Sequence, residues 1–215
     1  MGREALQSKD YARAVFNFDK ALEMAPGDKN TIYLRLEALL GNKKYELVCN
    51  DAAALLRDNA QDAEAMYLRG LALYYQGNCD SALNHLVQCL KSHPDHTKAR
   101  NMRKVIKAVE ASKKAGNEAY KSRKYDEAFA LYTEAIEADE NNTYTNSRLY
   151  SNRAAVLQQQ KKFEAAIADC DRCVELDPNF VKAYTRRAKC KLESEQYDDA
   201  VKDYEKAASL DESNR

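Results

Sequence analysis

Ala115-Gly116-Asn117-Glu118-Ala119-Tyr120 opens a unit whose small and bulky residues fall at Gly116, Tyr125, Ala128, Tyr132 and Ala135. The same offsets return from Ala154 (Phe163, Ala166, Cys170, Cys173, then Pro178) and from Ala188 (Tyr197, Ala200, Tyr204, Ala207). Self-similarity near a 34-residue period marks one supersecondary unit repeated, each copy too small to bury its own apolar face. The units fall at 109–142, 147–180 and 181–214.

Upstream, the pattern continues with varying strength. Residues 1–28 carry the second half of a unit (Tyr11, Ala14, Phe18, Ala21, Pro26), with Gly2 standing where Gly116 stands. The expectation is a first helix cut short by the chain start at Met1; the alternative is a natural start with a frayed helix. Residues 29–62 form a weaker unit (Leu36, Tyr45, Val48, Ala52, Leu55) and residues 63–96 a stronger one (Gly70, Cys79, Ala82, Leu86, Cys89, Pro94). Small residues at the first and third offsets let paired helices approach, and larger ones fill the space between units. Position by position the pattern resembles the tetratricopeptide repeat. That likeness implies an all-α, right-handed superhelical solenoid of six helix-turn-helix units, the first truncated.

Composition agrees with helices. Six glycines and three prolines in 215 residues leave little to interrupt them. No alternating β-branched runs predict strands. Thirty-four basic residues balance thirty-four acidic ones, which argues against a protein built to neutralise phosphates. Met1–Asp10 has no apolar segment of the signal-peptide kind, and no apolar run is long enough to span a bilayer. Six cysteines in that context read as reduced thiols of a cytoplasmic or nuclear protein. Cys170 and Cys173 occupy helix-packing offsets, so neither zinc nor redox chemistry is expected of them. His93-Pro94-Asp95 is read as an inter-repeat turn. No phosphate loop or Ser/His/Asp grouping appears, so the expectation is a non-enzyme with no cofactor and no metal.

Residues 97–123 break the period. Thr97–Ala111 has no turn signal and predicts one long helix joining two blocks. The expected divisions are 1–96, a bridge at 97–112, and 113–215. This stretch holds nine Lys or Arg against Glu110 and Glu118. A solvated face and a groove for an anionic partner both account for it. The insert Thr143-Tyr144-Thr145-Asn146 is expected to lengthen the next helix or its loop. No capping helix follows at Asp211–Arg215, so that end also reads as cut.

Lys113 and Asn117 are four apart on one helix, as are Lys182 and Arg186 on another, and Asn152 takes the corresponding side between them. None lies on a core offset. The set resembles the dicarboxylate clamp of tetratricopeptide co-chaperones, whose ligands are the C-terminal Glu-Glu-Val-Asp tails of the 70- and 90-kDa heat-shock chaperones. The likeness implies that Lys113, Asn117 and Asn152 hold the α-carboxylate and Lys182 and Arg186 the side-chain carboxylate, with Tyr120 and Ala155 as accessory contacts. Cations with amide donors suit two carboxylates on one residue, and asparagine adds N–H donors without adding repulsion. At the corresponding places the N-terminal block carries Leu34, Glu64 and Leu68, which cannot make this clamp; a different ligand and burial against another helix are both open.

Leu68–Tyr75 and Tyr184–Glu205 are similar to cytosolic tetratricopeptide J-proteins of the DnaJ subfamily C member 7 kind, whose J-domain has no counterpart here. The likeness implies a monomeric co-chaperone module with no nucleic-acid or membrane partner. The competing expectation is a scaffold that binds a folded protein or its own copy without recognising a C-terminus.

Overall fold

The computed structural model describes residues 1–212; the last residues of the unit expected at 181–214, and most of the end expected at Asp211–Arg215, lie outside them. Twelve α-helices and no strand occur among the described residues. They are α1 (Gly2–Gln7), α2 (Tyr11–Met24), α3 (Lys29–Gly41), α4 (Tyr45–Asp58), α5 (Ala63–Tyr75), α6 (Cys79–Ser92), α7 (Thr97–Lys121), α8 (Tyr125–Ala138), α9 (Thr143–Gln159), α10 (Phe163–Leu176), α11 (Val181–Glu193) and α12 (Tyr197–Glu212). Two compact units form, Met1–Ile106 and Lys107–Arg215.

Each hairpin is specified by local chemistry. Asp28, Asp62 and Asn142 cap first helices by accepting from the backbone N–H three residues on, at Thr31, Ala65 and Thr145. Within each hairpin the turn carries one left-handed residue: Lys9, Lys43, Gly77, Arg123, Lys161 or Glu195. Only one of these is glycine, so five turns hold a side chain in a backbone region that disfavours it. The packing offsets are closed to solvent: Ala14, Ala82, Ala128, Ala154, Ala166, Ala188 and Ala200 are all fully buried. Across each hairpin, residues sixteen apart are matched in size. Gly2 faces Phe18, Gly70 faces Leu86 and Gly116 faces Tyr132. In the weaker unit the match is inverted, with Leu36 large and Ala52 small, and both are buried in one cluster. Conserving summed volume rather than residue type keeps the helix spacing.

Cys170 and Cys173 are fully buried, and burial pushes the Cys173 thiol up to about 12 and Cys170 upward as well. Among the described residues no three metal-ligating side chains converge. His93-Pro94-Asp95 forms the turn between α6 and α7. The extra residues at 143–146 lengthen α9, which runs for 17 residues against 13 in α11.

Residues 97–106 continue the upstream repeat. α7 is a single helix, but its first turns keep the phase of the upstream repeats. His96 stands 34 residues after Asp62, and its Nδ1 accepts from the Ala99 N–H at 3.1 Å, replacing the aspartate cap. Ala99 and Ile106 are fully buried against α5 and α6 in the cluster of Tyr74, Leu86 and Cys89. The compact units therefore divide inside the expected 97–112 bridge, between Ile106 and Lys107. Of the residues with open alternatives, Leu68 is fully buried and Leu34 packs partly on Ala5, Ala14, Phe18 and Ala38. Helix burial accounts for both.

Candidate functional site: a basic cavity in the second unit

The first helices of the second unit (α7, α9 and α11) and Tyr132 of α8 enclose a cavity of about 790 Å³. Lys113, Asn117, Asn152, Lys182 and Arg186 all line it, as do Tyr120 and Ala155. The helical spacing of four sets Lys113 above Asn117 on α7 and Lys182 above Arg186 on α11, while α9 brings Asn152 between them.

Each polar group is held differently. Arg186 Nη1 donates to the Ser151 carbonyl and to Ser151 Oγ at 2.6 Å, anchoring one edge of the guanidinium on α9. Its remaining N–H groups have no acceptor among the described residues. The Tyr132 hydroxyl donates to Asn117 Oδ1 at 2.8 Å, which occupies the amide oxygen and leaves the Nδ2 donors for another acceptor. Burial, with Tyr120 nearby and Arg186 working weakly against it, pushes the Tyr132 hydroxyl up to about 12, so it stays a donor at neutral pH. Lys182 is exposed and makes no ion pair with a described residue; Asn152 likewise makes no hydrogen bond. Lys113 Nζ pairs with Glu110 Oε1 at 2.5 Å, both about one-third exposed.

Four lysines (Lys113, Lys114, Lys121 and Lys182) and Arg186 thus line one space with two carboxylates, Glu110 paired to Lys113 and Glu118 to Lys121. The arrangement can accept an anion bearing two carboxylates, with amide donors on one side and charge on the other. Sequence reasoning passed over Glu110, Lys114 and Tyr132. The i,i+3 spacing of Glu110 and Lys113 would have flagged the first. Tyr132 occupies a core offset, so the sequence predicts packing alone; only the fold shows that it also lines the cavity.

Models described as tetratricopeptide repeat match residues 147–180 and 181–214, 64–96, and 1–28. The chain belongs to the tetratricopeptide-repeat family. It is similar to DnaJ homolog subfamily C member 7 of Homo sapiens, 42% identical over 200 residues, covering 93% of this chain and 40% of that protein. It is also similar to Hsp70-Hsp90 organizing protein 3 of Arabidopsis thaliana, 29% identical over 239 residues, covering 100% of this chain and 42% of the relative. The chain therefore spans about two-fifths of the length of these relatives. In fold it is similar to the TPR domain of P58(IPK), with a TM-score of 0.72 at 24% identity, covering 97% of this chain and 58% of that one. The matched repeats coincide with the hairpins α1–α2, α5–α6, α9–α10 and α11–α12. The hairpins α3–α4 and α8 with the second half of α7 share their form. Among the described residues no helix of this tetratricopeptide-repeat chain is long and apolar enough to cross a membrane.

Proposed function

We propose that the second unit is a non-catalytic peptide-binding module that holds the free C-terminal aspartate of an acidic tail. The tails that fit are the Glu-Glu-Val-Asp ends of the 70- and 90-kDa heat-shock chaperones. The observation that carries this reading is the cavity itself: five cationic and amide side chains from three helices line one space, with the Lys182 and Asn152 side chains unpaired among the described residues. The Arabidopsis relative named for Hsp70 and Hsp90, and the DnaJ homologue, support the partner class.

In this role Lys113, Asn117 and Asn152 receive the α-carboxylate, and Lys182 with Arg186 the aspartate side chain. Tyr120 and Ala155 offer apolar contact to the preceding valine. Each charge-assisted hydrogen bond contributes about 1.5–3 kcal/mol. Lys113 must exchange Glu110 for the ligand, which lowers its share. A flexible tail is ordered on binding, so affinity is modest and falls with salt.

The test is a titration of a Glu-Glu-Val-Asp peptide. Arg186→Ala should weaken it about 10- to 100-fold, and C-terminal amidation of the peptide should weaken it comparably. Equal binding by wild type and Arg186→Ala, or indifference to amidation, removes the clamp and leaves the scaffold alternative.

A further inference from the structure

Five first helices carry arginine at one register position. Arg35, Arg69 and Arg103 recur every 34 residues in the first unit, and Arg153 and Arg187 do so in the second. Where its partners are present, the position is an ion-pair bridge between neighbouring second helices. Arg187 reaches Asp203 on α12, sixteen residues ahead, at 2.8 Å, and Asp171 on α10, sixteen behind, at 2.6 Å. Arg153 holds Asp169 on α10 through two hydrogen bonds of 2.8 and 2.7 Å. Arg35 joins Asp19 on α2 and Asp51 on α4. Helix α10 thus supplies one aspartate to the arginine on either side of it.

Helix α6 holds the same place between Arg69 on α5 and Arg103 on α7, and its aspartates are missing. The residues standing where α10 has Asp169 and Asp171 are His85 and Val87, and Ala53 stands where α4 could have served Arg69. Neither arginine makes a hydrogen bond or ion pair with a described residue, and the Nε of each is buried without a partner. The charge of Arg69 is felt on both flanking helices. Its charge adds to burial in lowering the basicity of His85 on α6, and it works against the burial that raises the Cys49 thiol on α4. His85 is therefore a neutral neighbour and not a substitute anion. On α7 the face continues with Arg100 and Lys104, which with Arg103 fall three and four residues apart on one side of the helix. Arg100 and Lys104 are exposed, and Lys104 makes no ion pair with a described residue.

A guanidinium whose Nε is shielded from water and lacks an acceptor is destabilising unless something supplies the anion. The chain shows at three other positions what satisfies this register: a carboxylate approaching the arginine fork. Its balanced charge does not give the broad positive field that recruits phosphate polymers. We propose that the face of the first unit formed by α5, α6 and the start of α7 binds an acidic protein segment. Its Asp or Glu side chains dock at Arg69 and Arg103, alongside α6, supplying the carboxylates that Asp169 and Asp171 supply from α10. This site is separate from the cavity of the second unit and has no need of a free C-terminus.

The probe is a short fluorescent peptide of alternating Asp and Glu with an amidated C-terminus, titrated against the full chain. Wild type binds it at low salt and releases it as salt rises. Arg69→Gln with Arg103→Gln weakens binding about tenfold or more. His85→Asp with Val87→Asp recreates the α10 pattern, so it raises the melting temperature and weakens peptide binding by a similar factor. That second variant decides the matter even if the first folds poorly. The proposal is overturned if the aspartate variant lowers the melting temperature or binds the peptide as wild type does. It is also overturned if an oligonucleotide of equal charge binds more tightly through the same arginines.

Discussion

A Cβ added at Gly116 would stand 2.9 Å from the Tyr132 ring, closer than side-chain atoms approach. Alanine there gains about 1 kcal/mol of helix propensity, but forcing the ring aside costs about 1–3 kcal/mol. The outcome expected for Gly116→Ala is a net loss of stability in chemical denaturation. Peptide affinity should fall with it, because Tyr132 orients Asn117. Gly27, with nothing within 4 Å of its would-be Cβ, is the control, and its alanine variant should stay within about 0.5 kcal/mol of wild type. Cysteines divide by the same logic of packing. Cys89, Cys170, Cys173 and Cys190 are buried, Cys49 and Cys79 half-buried. Alkylation of the native chain at pH 8 should mark Cys49 and Cys79 first, by mass spectrometry of digests, and reach the other four only on unfolding. Early labelling of Cys170 would contradict its place in the core.

Between helices, the decisive contacts are the arginine bridges. Burial acts to raise the Asp203 carboxyl, but hydrogen bonds from Arg187 and Lys191 outweigh it and hold the group below its usual value. A carboxyl depressed in the folded state stabilises the fold above its unfolded pKa, and that contribution fades as pH falls through the folded value. Thermal melts from pH 7 down to about 3 should therefore show acid destabilisation that is smaller in Asp203→Asn. At neutral pH that variant should lose about 1–3 kcal/mol, since it leaves a donor of Arg187 or Lys191 unsatisfied. An acid slope unchanged in the variant would mean that the bridge carries no linkage. The helix caps work at the same scale: His96 in place of an aspartate keeps α7 starting in register although the downstream repeat is shifted.

In a chain of stacked hairpins each repeat touches its neighbours, so damage should stay local. Amide exchange is expected to speed up in α11 and α12 of Asp203→Asn while α3 to α5 of the first unit exchange as before; a uniform rise across both units would refute that locality. Much of this molecule was legible in the chain. Period, helix class and the hairpin pattern follow from offsets of small and bulky residues, because burial of a repeated amphipathic pattern leaves one solution, whereas only the fold decides that residues 143–146 lengthen α9 and not its loop. Lys113, Asn117, Asn152, Lys182 and Arg186 were nameable because i,i+4 spacing fixes a helix face and the repeat fixes which faces align. Other features have no signature along the chain. The anchoring of Arg186 by Ser151 and the reach of Tyr132 into the cavity depend on side chains meeting across helices. Spacing sets direction, but separation and partnership arise only when hairpins stack.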